Sequence, residues 1–525
     1  MVALGLDYGT TNSLVAIYQQ EMLAKNIRKV HKASSVYSKG EFIRSPKRLL
    51  NKFQDNQLDV IISYIDSCVN SLLSDLKCKM SANEFDNISL ALTVPNAFKD
   101  NQCDILKKAI LGAFRLNFLE HNLKVVEIIP EPVAAALYYA YVLKTTSGQI
   151  GNGKKYIIVS DMGGGTTDLA VVRMEMKGNV LRFKVVATEH DSYLGGDDID
   201  LLITEHLKAQ YDLASVDEKS LVRASENLKK KLSMNQANKI SDSATSLLLL
   251  DNGFYYQGDS ELEMTLDSDT LESLMNMHSS RHPNGFARTY ANLLEKLHIN
   301  FRDQLLKDGY KINEIDKVFQ NSVVLLPVGG SSRLKMVQDI FKRVFSLSPL
   351  FHLTTEFSAD GIQEPHYDSV VRGAAIYSAF RSGMLNNLCH NIVIENRTYH
   401  NISLRYSSDK VYTCVNKSMP DDTYTSVFNP KMISQDGSYF TIGTIEFYQG
   451  GDGNIEDKDC VLLALVPLID TIYTHGKPRD EIKIILTLKI LNGRLDSGQI
   501  TVPNGNKDGS DYYKVLDISN DSLKI

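Results

Sequence analysis

The feature that most narrows what this chain can fold into is a hairpin motif that occurs twice. Tyr156-Ile157-Ile158-Val159-Ser160 is a short apolar run that reads as a buried strand, and it delivers Asp161-Met162-Gly163-Gly164-Gly165-Thr166-Thr167-Asp168. Three consecutive glycines permit a tight turn and bring backbone N–H groups close to an anion. The two threonines add hydroxyl donors, and the two aspartates suit a hydrated divalent cation, the usual companion of a phosphate. Alone, this octapeptide leaves an ordinary Gly-rich hairpin as the lesser alternative. The second copy lies at the N-terminus, where Val2-Ala3-Leu4-Gly5-Leu6 runs into Asp7-Tyr8-Gly9-Thr10-Thr11-Asn12-Ser13 and returns through Leu14-Val15-Ala16-Ile17-Tyr18. Two matching hairpins predict pseudo-symmetric halves that grip one phosphate chain from both sides. A Walker-type loop would need a lysine and a helix directly after the glycines, and neither is present; the dinucleotide fingerprint GxGxxG is absent from both places.

At 525 residues the chain is too long for one core, so two to four domains are expected. The formal net charge of −6 leaves no basic footprint for nucleic acid. Six cysteines are scattered without CxxC pairs, which predicts reduced thiols and no zinc site. No stretch reaches the roughly 18 apolar residues needed to span a bilayer. The expectation is a cytoplasmic protein that engages neither membrane nor nucleic acid.

After the first hairpin, residues 20–57 are polar and basic, and within them Arg44-Ser45-Pro46-Lys47-Arg48 is either a solvated face or a source of charge for a triphosphate. Apolar spacing predicts helices over 58–79 and 99–114, and strands at 88–95 and 125–130. Glu131-Pro132-Val133-Ala134-Ala135-Ala136 opens a helix whose small residues permit close packing on another helix. The polar connection 144–155 is the expected boundary between lobes. Leu194-Gly195-Gly196-Asp197-Asp198-Ile199-Asp200 suits either close approach to a phosphate or a helix cap. Helix 217–233 carries Glu226, Lys229, Lys230 and Ser233 on one face, which by itself reads as a salt-bridged exposed surface. Val328-Gly329-Gly330-Ser331-Ser332-Arg333 is a strand end that turns into a helix, suited to a flat or anionic ligand. Val370-Val371-Arg372-Gly373-Ala374-Ala375-Ile376 is a second small-residue helix, the expected partner of the one at Glu131. Alternating strands and helices to about 383 predict an α/β lobe pair. Beyond 390, strand-like runs beginning with Ile392-Val393-Ile394 predict a separate β domain.

With these residues in order, the chain resembles the seventy-kilodalton heat-shock chaperone family of the DnaK type, on an actin-like two-lobe fold followed by a β-sandwich. Asp7–Ser13 resembles the first phosphate motif, Pro130–Ala136 the first connecting segment, Asp161–Asp168 the second phosphate motif, Glu226–Ser233 the adenosine-contacting helix and Val328–Arg333 the adenosine motif. The resemblance implies ATP or ADP held between the lobes, Mg²⁺ linked through water to Asp7 and Asp161, and slow hydrolysis in which charge stabilisation supplies most of the catalysis. It implies Lys47 as the catalytic lysine, and Glu131 and Asp168 as orienting groups for water and metal. Gly9, Thr10, Thr11, Asn12, Gly163, Gly164, Gly165, Thr166, Gly195 and Gly196 would contact phosphate. Glu226, Lys229, Lys230, Ser233, Gly329, Gly330, Ser331 and Arg333 would frame adenosine. It further implies extended apolar polypeptide segments as partners, with J-domain and nucleotide-exchange co-chaperones. Phe440 or Ile442, but by strand alternation only one of them, would line the peptide groove.

Three departures from the family pattern stand out. Residues 20–57 are shorter than the equivalent subdomain. The acidic, leucine-rich linker is not recognisable at 384–391, between a nucleotide domain at 1–383 and a sandwich at 392–505. The polar tail at 506–525 is expected to be loose and leaves no room for a helical lid. Two functions therefore compete: a lidless ATP-dependent chaperone, and a nucleotide-regulated scaffold with weak or no ATPase and one dedicated partner. A sugar or acetate kinase on the same fold gives no reason for the C-terminal sandwich.

Overall fold

The computed structural model describes residues 2–9, 12–18, 28–33, 36–38, 41–43, 47, 58–78, 87–96, 98, 100–118, 123–151, 153–211, 213, 216, 218–237, 245–249, 262–348, 368–395, 402–406, 411–415, 423–449, 461–491 and 494–516. It divides into two compact units, Met1–Asn96 with Leu106–Val393, and Ala97–Ile105 with Ile394–Ile525.

The first unit begins with β1 (Val2–Tyr8), β2 (Asn12–Tyr18), β3 (Arg28–Ala33), a small hairpin of β4 (Val36–Ser38) and β5 (Glu41–Ile43), α1 (Leu58–Cys78), β6 (Ile88–Val94), α2 (Asp100–Asn117) and β7 (Leu123–Pro130). Its sheet runs β3-β2-β1-β6-β7, with β1, β2 and β3 antiparallel and β6 and β7 parallel to β1. Helix α3 (Glu131–Ser147) follows, with Pro132 in its first turn and a left-handed Gly148 at its end.

The second half comprises β8 (Gly153–Met162), β9 (Thr167–Lys177), β10 (Val180–Asp191), α4 (Gly196–Gln210), α5 (Glu218–Ala237), β11 (Thr245–Leu249), β12 (Leu262–Leu266), α6 (Ser268–Asn276), α7 (Phe286–Lys307), α8 (Ile312–Ser322), β13 (Val323–Val328), α9 (Lys335–Val344), α10 (Ser369–Arg381) and β14 (Asn391–Glu395). Its sheet runs β13-β8-β9-β10-β14. The first three strands of each half form an antiparallel meander, and a parallel strand joins on the side of the first. That repeats the arrangement expected of pseudo-symmetric halves.

The two small-residue helices meet closely. A Cβ on Gly373 of α10 would fall 1.8 Å from the Ala134 carbonyl oxygen of α3, so glycine is required there by contact. Helix α10 lies on the first half's sheet, not the second's: a Cβ on Gly5 would fall 2.3 Å from the Val371 carbonyl oxygen, and the Ser378 hydroxyl donates to Ser89 Oγ of β6 at 2.9 Å. A lobe boundary drawn by sequence order thus assigns α10 to the wrong sheet. Only packing reveals that the chain crosses back.

The second unit contains β15 (Ile402–Tyr406), β16 (Val411–Val415), β17 (Thr423–Phe428), β18 (Tyr439–Phe440), β19 (Gly443–Gln449), β20 (Val461–Leu468), β21 (Ile472–Tyr473), β22 (Ile484–Leu491), β23 (Arg494–Val502) and β24 (Tyr512–Leu516). Two antiparallel sheets, β16-β15-β19-β20 and β17-β22-β23-β24, share one core that includes Leu404, Phe447, Leu486, Leu488 and Ile500.

Three expectations change here. The run Ile392-Val393-Ile394 does not open the sandwich; it lies in β14, at the edge of the second half's sheet beside β10. Residues 506–516 are not a loose tail, because Tyr512 and Leu516 are buried on β24 while Tyr513 and Val515 face outward. The polar stretch 504–511 ahead of it disguised that short strand; 517–525 lie outside the described residues. Phe440 and Ile442 are both buried in the sandwich core while Thr441 between them is exposed, because residues two apart on extended backbone share a face, so alternation sends both inward and not one.

Candidate functional site

Both hairpins form, in matching register. Asp7 stands opposite Leu14 and Tyr8 opposite Ser13, while Asp161 stands opposite Asp168 and Met162 opposite Thr167. Four residues therefore separate the last strand pair in each hairpin, 9–12 in the first and 163–166 in the second. In the second, the Gly163 N–H donates to the Thr166 carbonyl at 3.0 Å and closes the loop. In the first, a Cβ on Gly9 would fall 2.2 Å from the Asn12 carbonyl oxygen. Thr10 and Thr11 lie outside the described residues.

The Gly195–Gly196 turn is laid directly on the second loop. The Gly196 N–H donates to the Gly163 carbonyl at 3.0 Å and the Asp197 N–H to the Gly164 carbonyl at 2.5 Å. A Cβ on Gly195 would fall 2.6 Å from Gly164 O, and one on Gly196 would fall 2.4 Å from Ser331 Oγ. The helix-cap reading of this segment holds, since the Gly195 N–H donates to Asp198 Oδ2 at 3.0 Å at the start of α4, while the two glycines let the turn lie against the Gly163–Gly164 backbone.

Where the hairpins converge sits a cluster of ionisable side chains. Lys47 Nζ lies 3.1 Å from Glu131 Oε1, with both residues buried. Burial pulls the Lys47 ammonium down, but the carboxylates of Glu131, Asp7 and Asp168 outweigh it and leave the group above its ordinary value. Burial pushes Glu131 up to about 7, moderated by Lys47 and reinforced by Asp7 and Asp168. Asp161 is driven well up by burial and by the charges of Glu131, Asp7 and Asp168. Asp7 is also raised by burial, against Lys47 and a 2.8 Å hydrogen bond donated by Thr93 Oγ1. Asp168 is raised by burial, offset by His190 and Lys47 and by the Thr166 hydroxyl at 3.4 Å. Four carboxylates thus share one region with a lysine that offsets one of them. Among the described residues, no group of three or more His, Cys, Asp or Glu side chains is arranged to hold a metal ion.

The expected adenosine residues divide. The Ser331 hydroxyl donates to the Gly163 carbonyl at 2.9 Å, which fixes the turn Gly330–Arg333 to the phosphate loop. Gly329 has φ +81°, and a Cβ there would fall 2.5 Å from Asp161 Oδ1. Ser233 is buried, and its hydroxyl has no hydrogen-bond partner among the described residues. Lys229 is already engaged, 2.7 Å from Asp200 Oδ1 and donating to the Gly196 carbonyl at 2.8 Å. Lys230 instead points to solvent and pairs with Glu226 at 2.8 Å. The helix face read from sequence is therefore two faces, one clasped inward and one exposed.

Sequence reasoning missed Thr93 and His190, and read Asp200 only as one of the acids after Gly195-Gly196, not as the partner of Lys229. Thr93 was visible only as part of a strand. His190 stands opposite Asp168 in the β9–β10 ladder, a register no local pattern encodes. The five cysteines within the described residues form no disulfide with one another, and among those residues no helix is long and apolar enough to cross a membrane.

A protein-family model described as Hsp70 protein matches residues 66–421, more than half of the chain. The chain belongs to the Hsp70 family. Its two lobes are accordingly the actin-like α/β ATPase fold, and it is a chaperone-like, ATP-binding protein. Hsp70 proteins generally hydrolyse ATP, hold ATP or ADP with Mg²⁺, and bind polypeptide substrates and co-chaperones. The matched span includes Glu131, the second hairpin and the adenosine motif. It begins after the first hairpin and Lys47.

Proposed function

We propose that this Hsp70 protein binds ATP between its two lobes, hydrolyses it slowly to ADP and phosphate, and couples that cycle to extended apolar polypeptide segments held by its β-sandwich. The observation that carries the reading is the Lys47–Glu131 pair, buried among Asp7, Asp161 and Asp168 where the two matching hairpins converge. Nucleotide work falls to residues 1–383, polypeptide work to the sandwich from β15 onward.

The residues fit a hydrated Mg²⁺, because four buried carboxylates with raised pKa values beside one lysine leave negative charge that an incoming cation would balance. Asp7 and Asp161 would hold it through water. Bound there, the ion offsets phosphate charge.

The chain's own groups do the rest. Lys47 sets a positive charge where the γ-phosphate gathers negative charge in the transition state. Glu131 and Asp168 orient the attacking water; its oxygen bonds to the γ-phosphorus as the bond to the β-phosphate oxygen breaks, and its proton leaves toward a carboxylate. The 164–166 part of the loop and the Thr166 hydroxyl fix the phosphate. Ser233, Ser331 and Arg333 frame adenosine. Glu226 and Lys230, paired at the surface, act at its rim.

Single-turnover assays on the intact chain test this reading: ADP should form slowly in wild type and far more slowly in Lys47→Ala. Absence of ADP in wild type removes the ATPase and leaves the scaffold, a nucleotide-regulated protein with one dedicated partner. That second reading draws support from the sandwich, where both residues expected at the groove belong to the core. A peptide array separates the two, since binding of many apolar segments supports the chaperone and binding of none the scaffold.

A further inference from the structure

The loop at 277–285, between α6 and α7, bears on the phosphate site through one buried carboxylate. The loop is closed on itself: the Ser279 and Gly285 N–H groups donate to the His282 carbonyl at 3.1 and 2.9 Å, and the His282 N–H donates to Ser279 Oγ at 3.0 Å. Gly285, at φ +83°, lies so near α6 that a Cβ would fall 2.7 Å from the Asn276 carbonyl oxygen. So held, the loop presents two consecutive side chains to Asp198. Arg281 Nη1 is 2.8 Å from Asp198 Oδ1 and His282 Nε2 is 4.0 Å from the same oxygen.

Asp198 and His282 are both buried. The His282 ring meets Phe286 edge-on at 5.5 Å, and Nε2 has no hydrogen-bond partner among the described residues. The Arg281 side chain is half exposed. The other Asp198 oxygen accepts the Gly195 N–H, and Gly195 and its neighbours rest on Gly163 and Gly164. Contacts therefore run without a gap from a solvent-facing guanidinium to the backbone of the second phosphate loop.

We propose that Arg281 and His282 are positioning residues for the nucleotide site: through Asp198 they press the Gly195–Gly196 turn onto the phosphate loop and so set nucleotide affinity. The physical reason is charge. A buried carboxylate that caps a helix needs a cation beside it, and a charge-assisted hydrogen bond is among the stronger ones. Remove Arg281, and Asp198 gains by turning toward water, which loosens the turn it holds. The nucleotide part of this inference rests on the proposed ATP site; the mechanical part does not.

The test uses the full chain as wild type, Arg281→Ala, Arg281→Lys and His282→Gln. Hydrogen exchange without nucleotide is read at residues 163–168 and 193–199, with 484–491 in the sandwich as control. Arg281→Ala should exchange about tenfold faster at the two site segments, as loss of a hydrogen bond to a charged group implies, with the control unchanged. Arg281→Lys should regain most of the protection, and His282→Gln should show a smaller loss. ATP·Mg²⁺ titration should show about tenfold weaker binding in Arg281→Ala, with the single-turnover rate at saturating ATP within about twofold of wild type. Unchanged exchange at 163–168 in Arg281→Ala overturns the inference, as does a loss that Arg281→Lys fails to reverse. If Arg281→Ala exchanges faster throughout, Arg281→Gln takes its place and the same two outcomes decide. A wild type that fails to bind ATP overturns the proposed function, while the exchange result still decides the clamp.

Discussion

The two phosphate hairpins share strand direction, register and turn length, yet they differ at one position that matters. Opposite the strand-end aspartate the first hairpin carries Leu14, which is buried, and the second carries Asp168. Their surroundings differ as well. Asp7 of the first is steadied by a side chain, Thr93. The second is overlaid by backbone and glycine from Gly195–Gly196 and locked by Ser331. Matching geometry is what gripping a phosphate chain demands, because a turn of N–H groups serves either end alike. Chemistry demands asymmetry, and here the second half holds two carboxylates at its turn where the first holds one.

The most severe way to break this arrangement is Lys47→Ala, which removes the cation where both hairpins meet. Hydrolysis should fall by about 10²–10³-fold, the range for loss of a preorganised charge, and Glu131 is left buried without its 3.1 Å partner. A single-turnover rate within threefold of wild type would sink the role given to this lysine. Next comes Asp168→Leu, which makes the second hairpin like the first. ADP formation should fall about 10²-fold while ATP still binds. Thermal stability should rise, since a buried carboxylate held above its ordinary value is removed from among like charges; a lowered Tm together with unimpaired hydrolysis counts against the asymmetry.

Gly195→Ala probes the overlay. Its Cβ would meet Gly164 backbone at 2.6 Å, and overpacking of this kind costs about 1–3 kcal/mol. Urea unfolding would register the loss, and Gly148→Ala serves as a contrast, strained only by its φ of +74° with open space around it.

The carboxylate cluster also predicts a pH dependence. Glu131 is raised from 4.5 to about 7 and Asp200 from 3.8 to about 6. The folded chain therefore holds these protons more tightly than the unfolded chain, and their contribution to stability falls as pH rises from about 4 to 7. Glu131→Gln should flatten the upper part of that fall in urea midpoints measured at pH 5 and pH 7, whereas an unchanged slope speaks against the assignment. The smallest effect belongs to Ser233→Ala. Removing a buried hydroxyl that has no partner among the described residues should leave the fold as stable or up to about 1 kcal/mol more so, and weaken ATP binding severalfold by calorimetry.

Much of the site was legible because its parts are local. Asp161 through Thr166, Gly195-Gly196 and Gly329 through Arg333 each follow a strand or open a helix, and the backbone freedom that glycine confers is visible one residue at a time. The two faces of α5 were not legible. Periodicity placed Glu226, Lys229, Lys230 and Ser233 on one side, but a spread of that width straddles the line between buried and exposed, and Asp200 decides which lysine turns inward. The choice between Phe440 and Ile442 failed for another reason: alternation sets neighbours on opposite faces, not residues two apart, and both side chains join the core.

What the chain's order of residues determined by itself is the pair of hairpins, the glycines that permit close approach, and the two small-residue helices, because each depends on steric freedom within a few bonds. Tertiary structure alone decided that α10 returns to the first sheet, that Lys47 meets Glu131 across 84 residues, that His190 faces Asp168, and that β24 completes the sandwich. Those outcomes depend on packing and charge between segments far apart in the chain, and no local pattern carries the distance between them.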